Sequence, residues 1–159
     1  MSVIRVVWGS AAGPTAMSAY DAALADANVH NYNLVTVSSV IPADPQVEAV
    51  GTAPDLGPAG DRLTVVQSRQ TVRPGASGPA VAGIGWARSE SGRGIFYEAS
   101  GHDPAAVRER ITDGLARGRE LREWSFVDED CLVRQTASDD DAFTTMVVCA
   151  VYGDSTPIV

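Results

Sequence analysis

Only two stretches of this chain repeat an apolar residue every three or four positions long enough to make a helix, while seven other runs read as strands. The first helix is expected from Pro14 or Thr15 to about Asn28. Thr15 can cap it, and Ala16, Tyr20, Ala23, Leu24 and Ala27 share one face. The second is expected from Pro104 to about Arg122, with Asp103 as N-cap and proline at the first helical position. Val107, Ile111, Leu115 and Leu121 build its apolar stripe, and Gly114 and Gly118 on the same side allow close packing on a sheet. Arg117, Arg119 and Arg122 gather at its C-terminal end, where the helix dipole favours cations.

Strands are expected at Val3–Trp8, Asn33–Val40, Arg62–Val72, Ala80–Ser89, Gly94–Glu98, Ser125–Thr136 and Phe143–Tyr152. Between Pro42 and Asp61 the chain is rich in Pro, Gly, Ala and Asp and reads as one long irregular loop. Two helices cannot supply the crossovers of a doubly wound sheet with this many strands. The order therefore predicts an α+β fold, a layered α/β/β/α sandwich with mostly antiparallel sheets. At 159 residues the chain fits one domain with a single core.

Charge narrows the function. The net charge is −8, and all twelve basic residues are arginine. GC-rich codon usage or adaptation to high salt would each produce this balance. An acidic chain repels phosphate backbones, so no nucleic-acid partner is expected. Without lysine the chain cannot hold pyridoxal phosphate through a lysine imine, so that cofactor is excluded. Cys131 and Cys149 lie far apart in apolar settings and read as buried small residues. His30 and His102 fall in expected loops, and no Cys/His cluster implies a metal. No apolar run reaches the roughly 18–20 residues of a membrane span. The segment "MSVIRVVWGS" has no charged leader, which makes the cytoplasm the expected compartment.

Common catalytic signatures are absent. There is no GxSxG, and no GxxxxGK[ST], which would need a lysine. "GIGWARSESGRG" has glycines near dinucleotide-loop spacing but leads into a strand, and "GSAAG" is as well explained by a tight turn. The remaining oddity is the pair Ser38–Ser39 in "NYNLVTVSSVIPAD". Two hydroxyls can simply end a strand. A serine hydroxyl can also attack the carbonyl of the residue before it, turning the peptide into an ester. Elimination then leaves dehydroalanine, which hydrolyses to a pyruvoyl group and ammonia. That chemistry needs serine on the downstream side and polar groups at the oxyanion.

The run "AYDAALADANVHNYNLVTVSSVIPAD", with "GIGWA" and "GIFYEASGHDPAAV" further on, resembles the pyruvoyl-dependent arginine decarboxylase family over nearly the whole chain. The resemblance implies a proenzyme cut between Ser38 and Ser39 into residues 1–38 (the β chain) and 39–159 (the α chain). Ser39 would become a covalently bound pyruvoyl group and Ser38 would keep the new carboxylate. It implies the conversion of L-arginine to agmatine and CO2, feeding polyamine synthesis, in a homotrimer with active sites between protomers. By the same resemblance Glu98 is the proton donor, although a gapless reading back from the second helix puts Tyr97 there. A one-residue shift would move the side chain to the other face. Asp21 matches the carboxylate that receives the substrate guanidinium, Leu24 a pocket wall, and Asn33 a polar contact for processing or for substrate. Each also has an ordinary reading: strand-end carboxylate, exposed helix aspartate, core leucine, turn asparagine. A decarboxylase of another amino acid on the same scaffold, as in pyruvoyl histidine decarboxylases, and an uncleaved assembly or regulatory homologue remain as alternatives.

Overall fold

A computed structural model describes residues 2–159. Its nine strands and two helices are β1 (Val3–Gly13), α1 (Ala16–Asp26), β2 (Asn33–Thr36), β3 (Val40–Ile41), β4 (Gln46–Gly51), β5 (Arg62–Val72), β6 (Ala80–Ser89), β7 (Gly94–Gly101), α2 (Pro104–Glu120), β8 (Phe126–Thr136) and β9 (Phe143–Tyr152). One sheet has the order β2-β5-β9-β1-β4, the other β3-β7-β6-β8. The smaller sheet is wholly antiparallel, and the larger one carries parallel pairs at β1–β4 and β2–β5. Helix α1 covers the larger sheet and α2 the smaller, so the layers run α/β/β/α as the element order predicts.

Strand β9 shows why the layers hold. It lies inside the larger sheet with both faces covered, and its side chains alternate between two cores. Met146, Val148 and Ala150 meet Ile4, Val66, Ile84 and Phe96 between the sheets. Val147, Cys149 and Val151 meet Val7, Ala23, Leu24 and Leu63 under α1. Beneath α2, Val107, Ile111 and Leu115 pack on Val81, Ala87 and Ile95. Thr15 caps α1 in a full capping box with Ser18, and the Asp103 carboxylate accepts from the Ala105 N–H at the start of α2.

Several expectations change. The single core becomes three, one between the sheets and one under each helix. β7 runs three residues past Glu98, to Gly101, and Cys131, expected buried, is half-buried on β8. Strand β1 runs five residues past Trp8, to Gly13, because it pairs with β9 along its whole length. The glycines there serve contact rather than turning: a Cβ on Gly9 would collide with the Ala23 carbonyl oxygen of α1. The expected loop after Pro45 contains β4, a parallel edge strand on β1. The expected strand Asn33–Val40 is two strands in two sheets, joined by Val37–Ser39. Leu121 does not join the stripe of α2 and is 82% exposed, because the helix has ended at Glu120.

Candidate active site

The serine pair sits where the chain crosses from one sheet to the other. The Val37 N–H still donates to the Val65 carbonyl of the larger sheet at 3.1 Å. Three residues on, Val40 and Ile41 pair with Ile95 and Gly94 of the smaller sheet. In between, the Val40 N–H donates to the Ser38 carbonyl at 2.8 Å. Asn28 alone has positive φ among the described non-glycine residues, so Ser39 is the centre of an inverse γ-turn. The Ser39 carbonyl accepts from the Phe96 N–H at 2.8 Å, and the Ser39 Oγ donates to Glu98 Oε2 at 3.2 Å.

The pleat of β7 decides which acid-base group reaches the serine. Ile95 and Tyr97 face α2, where Gly118 and Gly114 lack the Cβ atoms that would strike them. Phe96 alternates to the other side, into the core between the sheets, and Glu98 follows on that side but is exposed. The Glu98 carboxylate therefore meets Ser39, and the Tyr97 ring lies against α2. Both still border one open cleft of about 490 Å³, which Ser38 and Ser39 also line. The last turns of α2, with Gly114 and Arg117, and the residues just past its end, Leu121 and Arg122, close its other side. Arg122 donates to the Gly118 carbonyl at 2.8 Å. A carboxylate beside the serine and guanidinium groups across the cleft make the site strongly polarised.

Tyr152, at the end of β9, adjoins the serine turn from outside the cleft, and the sequence pattern did not single it out. Its hydroxyl donates to the Val40 carbonyl at 2.8 Å. Its ring meets Phe96 edge-on, with centroids 6.1 Å apart at 68°, and Phe96 meets Trp86 likewise at 6.3 Å. Burial pushes the phenol up to about 12, and the Glu98 carboxylate adds to the rise. The one signal in the sequence is a tyrosine closing an otherwise apolar strand, where a ring can be buried with its hydroxyl free to find a partner.

The other expected residues lie elsewhere in the chain. Asp21 is exposed on α1. Leu24 is 7% exposed and packs in the core under that helix. Asn33 starts β2, where its Nδ2 donates to the Gly60 carbonyl and its N–H to the Asp61 carbonyl, each at 2.8 Å. None of the three lines the cleft holding Ser39. One chain thus brings Ser38, Ser39 and Glu98 together and leaves Asp21, Leu24 and Asn33 on the layer of the larger sheet.

A lysine-free α/β/β/α sandwich, with a Ser–Ser peptide at its sheet crossing and a carboxylate on the second hydroxyl, has the make-up of a pyruvoyl-dependent decarboxylase. The model of the pyruvoyl-dependent arginine decarboxylase family matches residues 3–157, and the chain belongs to that family. It is 51% identical to a pyruvoyl-dependent arginine decarboxylase of Halobacterium salinarum, over 99% of this chain and 98% of the relative. It is 32% identical to the enzyme of the same name from Pyrococcus horikoshii, over 79% and 82%. With that from Thermococcus sibiricus the identity is 31%, over 82% of each.

Proposed function

We propose that this chain is a proenzyme that cuts itself between Ser38 and Ser39 and then converts L-arginine to agmatine and CO2. The observation that carries the reading is the Ser39 hydroxyl in the crossover, 3.2 Å from Glu98 and beside an open cleft. The residues fit a pyruvoyl group at position 39. The bonds that hold Ser39 fall on its carbonyl and its hydroxyl. That carbonyl is retained when the residue becomes pyruvoyl, and the Phe96 N–H polarises it. The ketone supplies a sink for the electrons released as a carboxyl group leaves as CO2.

Within the mature site, Glu98 would deliver a proton to the carbon that loses the carboxyl group. Ser38, as the end of residues 1–38, lines the cleft next to the start of residues 39–159. Asp21 would receive the substrate guanidinium through two parallel N–H bonds, with Leu24 as an apolar wall and Asn33 as a further polar contact. These three lie outside the cleft of their own chain, so a neighbouring copy must present them. A homotrimer would do so, each protomer turning its α1 layer toward the next one's cleft. Exposed Met17 on α1 and exposed Val40 and Leu121 beside the cleft give such an interface apolar contacts. No helix among the described residues is long and apolar enough to cross a membrane. The cytoplasm is the proposed compartment.

Denaturing mass spectrometry of the purified protein, with carboxyl-labelled arginine supplied in parallel, tests the reading. Two pieces broken after Ser38, the larger one blocked by pyruvoyl, together with labelled CO2 and agmatine, are the expected result. An intact chain after prolonged incubation, with no agmatine, would mean an uncleaved homologue. Cleavage with release of CO2 from a different amino acid would keep the chemistry and correct the substrate.

A further inference from the structure

The self-cleavage reading leaves open what stabilises the carbonyl under attack, and the turn around Ser39 answers it. When the Ser39 Oγ adds to the Ser38 carbonyl carbon, the carbonyl oxygen becomes an oxyanion. That oxygen already accepts the Val40 N–H at 2.8 Å. The donor comes from the residue directly after the nucleophile, so the attacking hydroxyl and the oxyanion donor belong to one three-residue turn. Val40 is in turn held through its own carbonyl, which accepts from the Tyr152 hydroxyl at 2.8 Å. Tyr152 stands on the larger sheet and Val40 on the smaller, so the phenol ties the scissile turn across the inter-sheet space. The Phe96 ring packs edge-on against Tyr152, and the Phe96 N–H fixes the Ser39 carbonyl from the other side.

We infer that the Val40 amide is the oxyanion donor for breaking the Ser38–Ser39 bond, and that Tyr152 is the positioning residue that aims it. In the step it serves, a bond forms between Ser39 Oγ and the Ser38 carbonyl carbon, and the bond from that carbon to the Ser39 nitrogen breaks. The hydroxyl proton ends on that nitrogen as a free amine, and no other reactant is consumed. The inference rests on the proposed self-cleavage.

Two substitutions test it. Val40→Pro removes the N–H at the first residue of an edge strand, a position proline tolerates. Tyr152→Phe removes only the hydroxyl that holds Val40. Cleavage of each is followed by denaturing electrophoresis, with and without hydroxylamine, which severs the chain wherever the ester has formed. Losing an oxyanion donor costs about 100-fold or more, so Val40→Pro should cut at least that much more slowly than the parent. Tyr152→Phe should be about tenfold slower, as expected for one lost hydrogen bond. Hydroxylamine should restore neither, because both fail before the ester. A purely structural role would lower the melting temperature and leave hydroxylamine scission intact. Parent-like cutting in Tyr152→Phe, or hydroxylamine scission at the parent's rate in either variant, overturns the inference while self-cleavage stands. A parent chain that never cuts, even with hydroxylamine, overturns the self-cleavage reading and this inference with it.

Discussion

Adding one methyl group at Gly85 should loosen the wall of the candidate site's cleft from behind. Gly85 lies in β6 under α2, and a Cβ there would sit closer than 3.0 Å to Ile111 Cγ2, 3.0 Å from Leu115 Cδ1 and 3.3 Å from the Asp130 carbonyl oxygen. Ile111 is fully buried and β-branched in a helix, so one χ1 rotamer dominates and its Cγ2 cannot swing clear. The helix must lift. Overpacking of this kind costs about 1–3 kcal/mol, and the reduced freedom of the unfolded chain returns about 0.4–1 kcal/mol. The net loss is then about 1–2 kcal/mol, which for a domain of this size lowers the melting temperature by roughly 2–8 °C. Gly118→Ala is the contrast. Its Cβ would come 2.6 Å from Ile95 Cδ1, the movable tip of a side chain, and a helical glycine gives back up to about 1 kcal/mol when replaced by alanine. Thermal unfolding followed by circular dichroism should show a clear fall for Gly85→Ala and little change or a small rise for Gly118→Ala. Equal melting temperatures for Gly85→Ala and the parent would refute the claim that α2 is seated on that glycine.

Ser39→Ala should leave the chain whole on denaturing gels, since no hydroxyl remains to attack. Glu98→Gln should lower agmatine formation by about 100-fold or more through loss of the acid, read by trapped CO2 per cleaved chain. Asp21→Ala should raise the KM for arginine at least tenfold and leave the fragment pattern on gels unchanged; if scission stops as well, Asp21 does more than bind the guanidinium. Burial holds the Cys149 thiol at about 12 against the opposing Gln67 hydrogen bond, so a maleimide at neutral pH should label it only after denaturation, while half-exposed Cys131 reacts slowly in the native protein. The Tyr152 phenol, raised from 10.0 to about 12, keeps its proton longer folded than unfolded. Its contribution to stability is therefore present below about pH 10 and is lost between there and about 12. Absorbance at 295 nm should show a late phenolate phase that Tyr152→Phe lacks.

Where contacts are local or regular, the sequence is legible. β5 and β6 begin and end where their apolar runs meet "RPGASGP" and "ESGRG", and Asp103–Pro104 marks the start of α2 to the residue. The misread segments depend on partners far away. Val37–Ser39 has the composition of a strand, and only the competing pairings with Val65 and Ile95 pull its two halves into different sheets. β4 hides in a proline-rich stretch because its support is a parallel partner, β1, some forty positions earlier in the chain. The same holds at the site. Ser38 and Ser39 stand out through their local motif, whereas Glu98 comes from the family resemblance with Tyr97 left open, and the pleat of β7 turns Glu98 to the serine. Tyr152 binds a main-chain carbonyl 112 positions away, which no side-chain pattern around Val40 encodes.

The place of the crossover also decides what a cut there would do to the molecule. Residues 1–38 contain β1, α1 and β2, and in the sheet order β2-β5-β9-β1-β4 those two strands stand on either side of the β5–β9 pair. β1 is zipped to β9 over ten residue pairs, from Ile4 to Gly13, and α1 spans the gap above. The shorter piece thus grips the longer one like a clip. Breaking the peptide at the sheet crossing opens no ladder, so scission frees two chain ends inside the cleft and leaves the pieces interlocked.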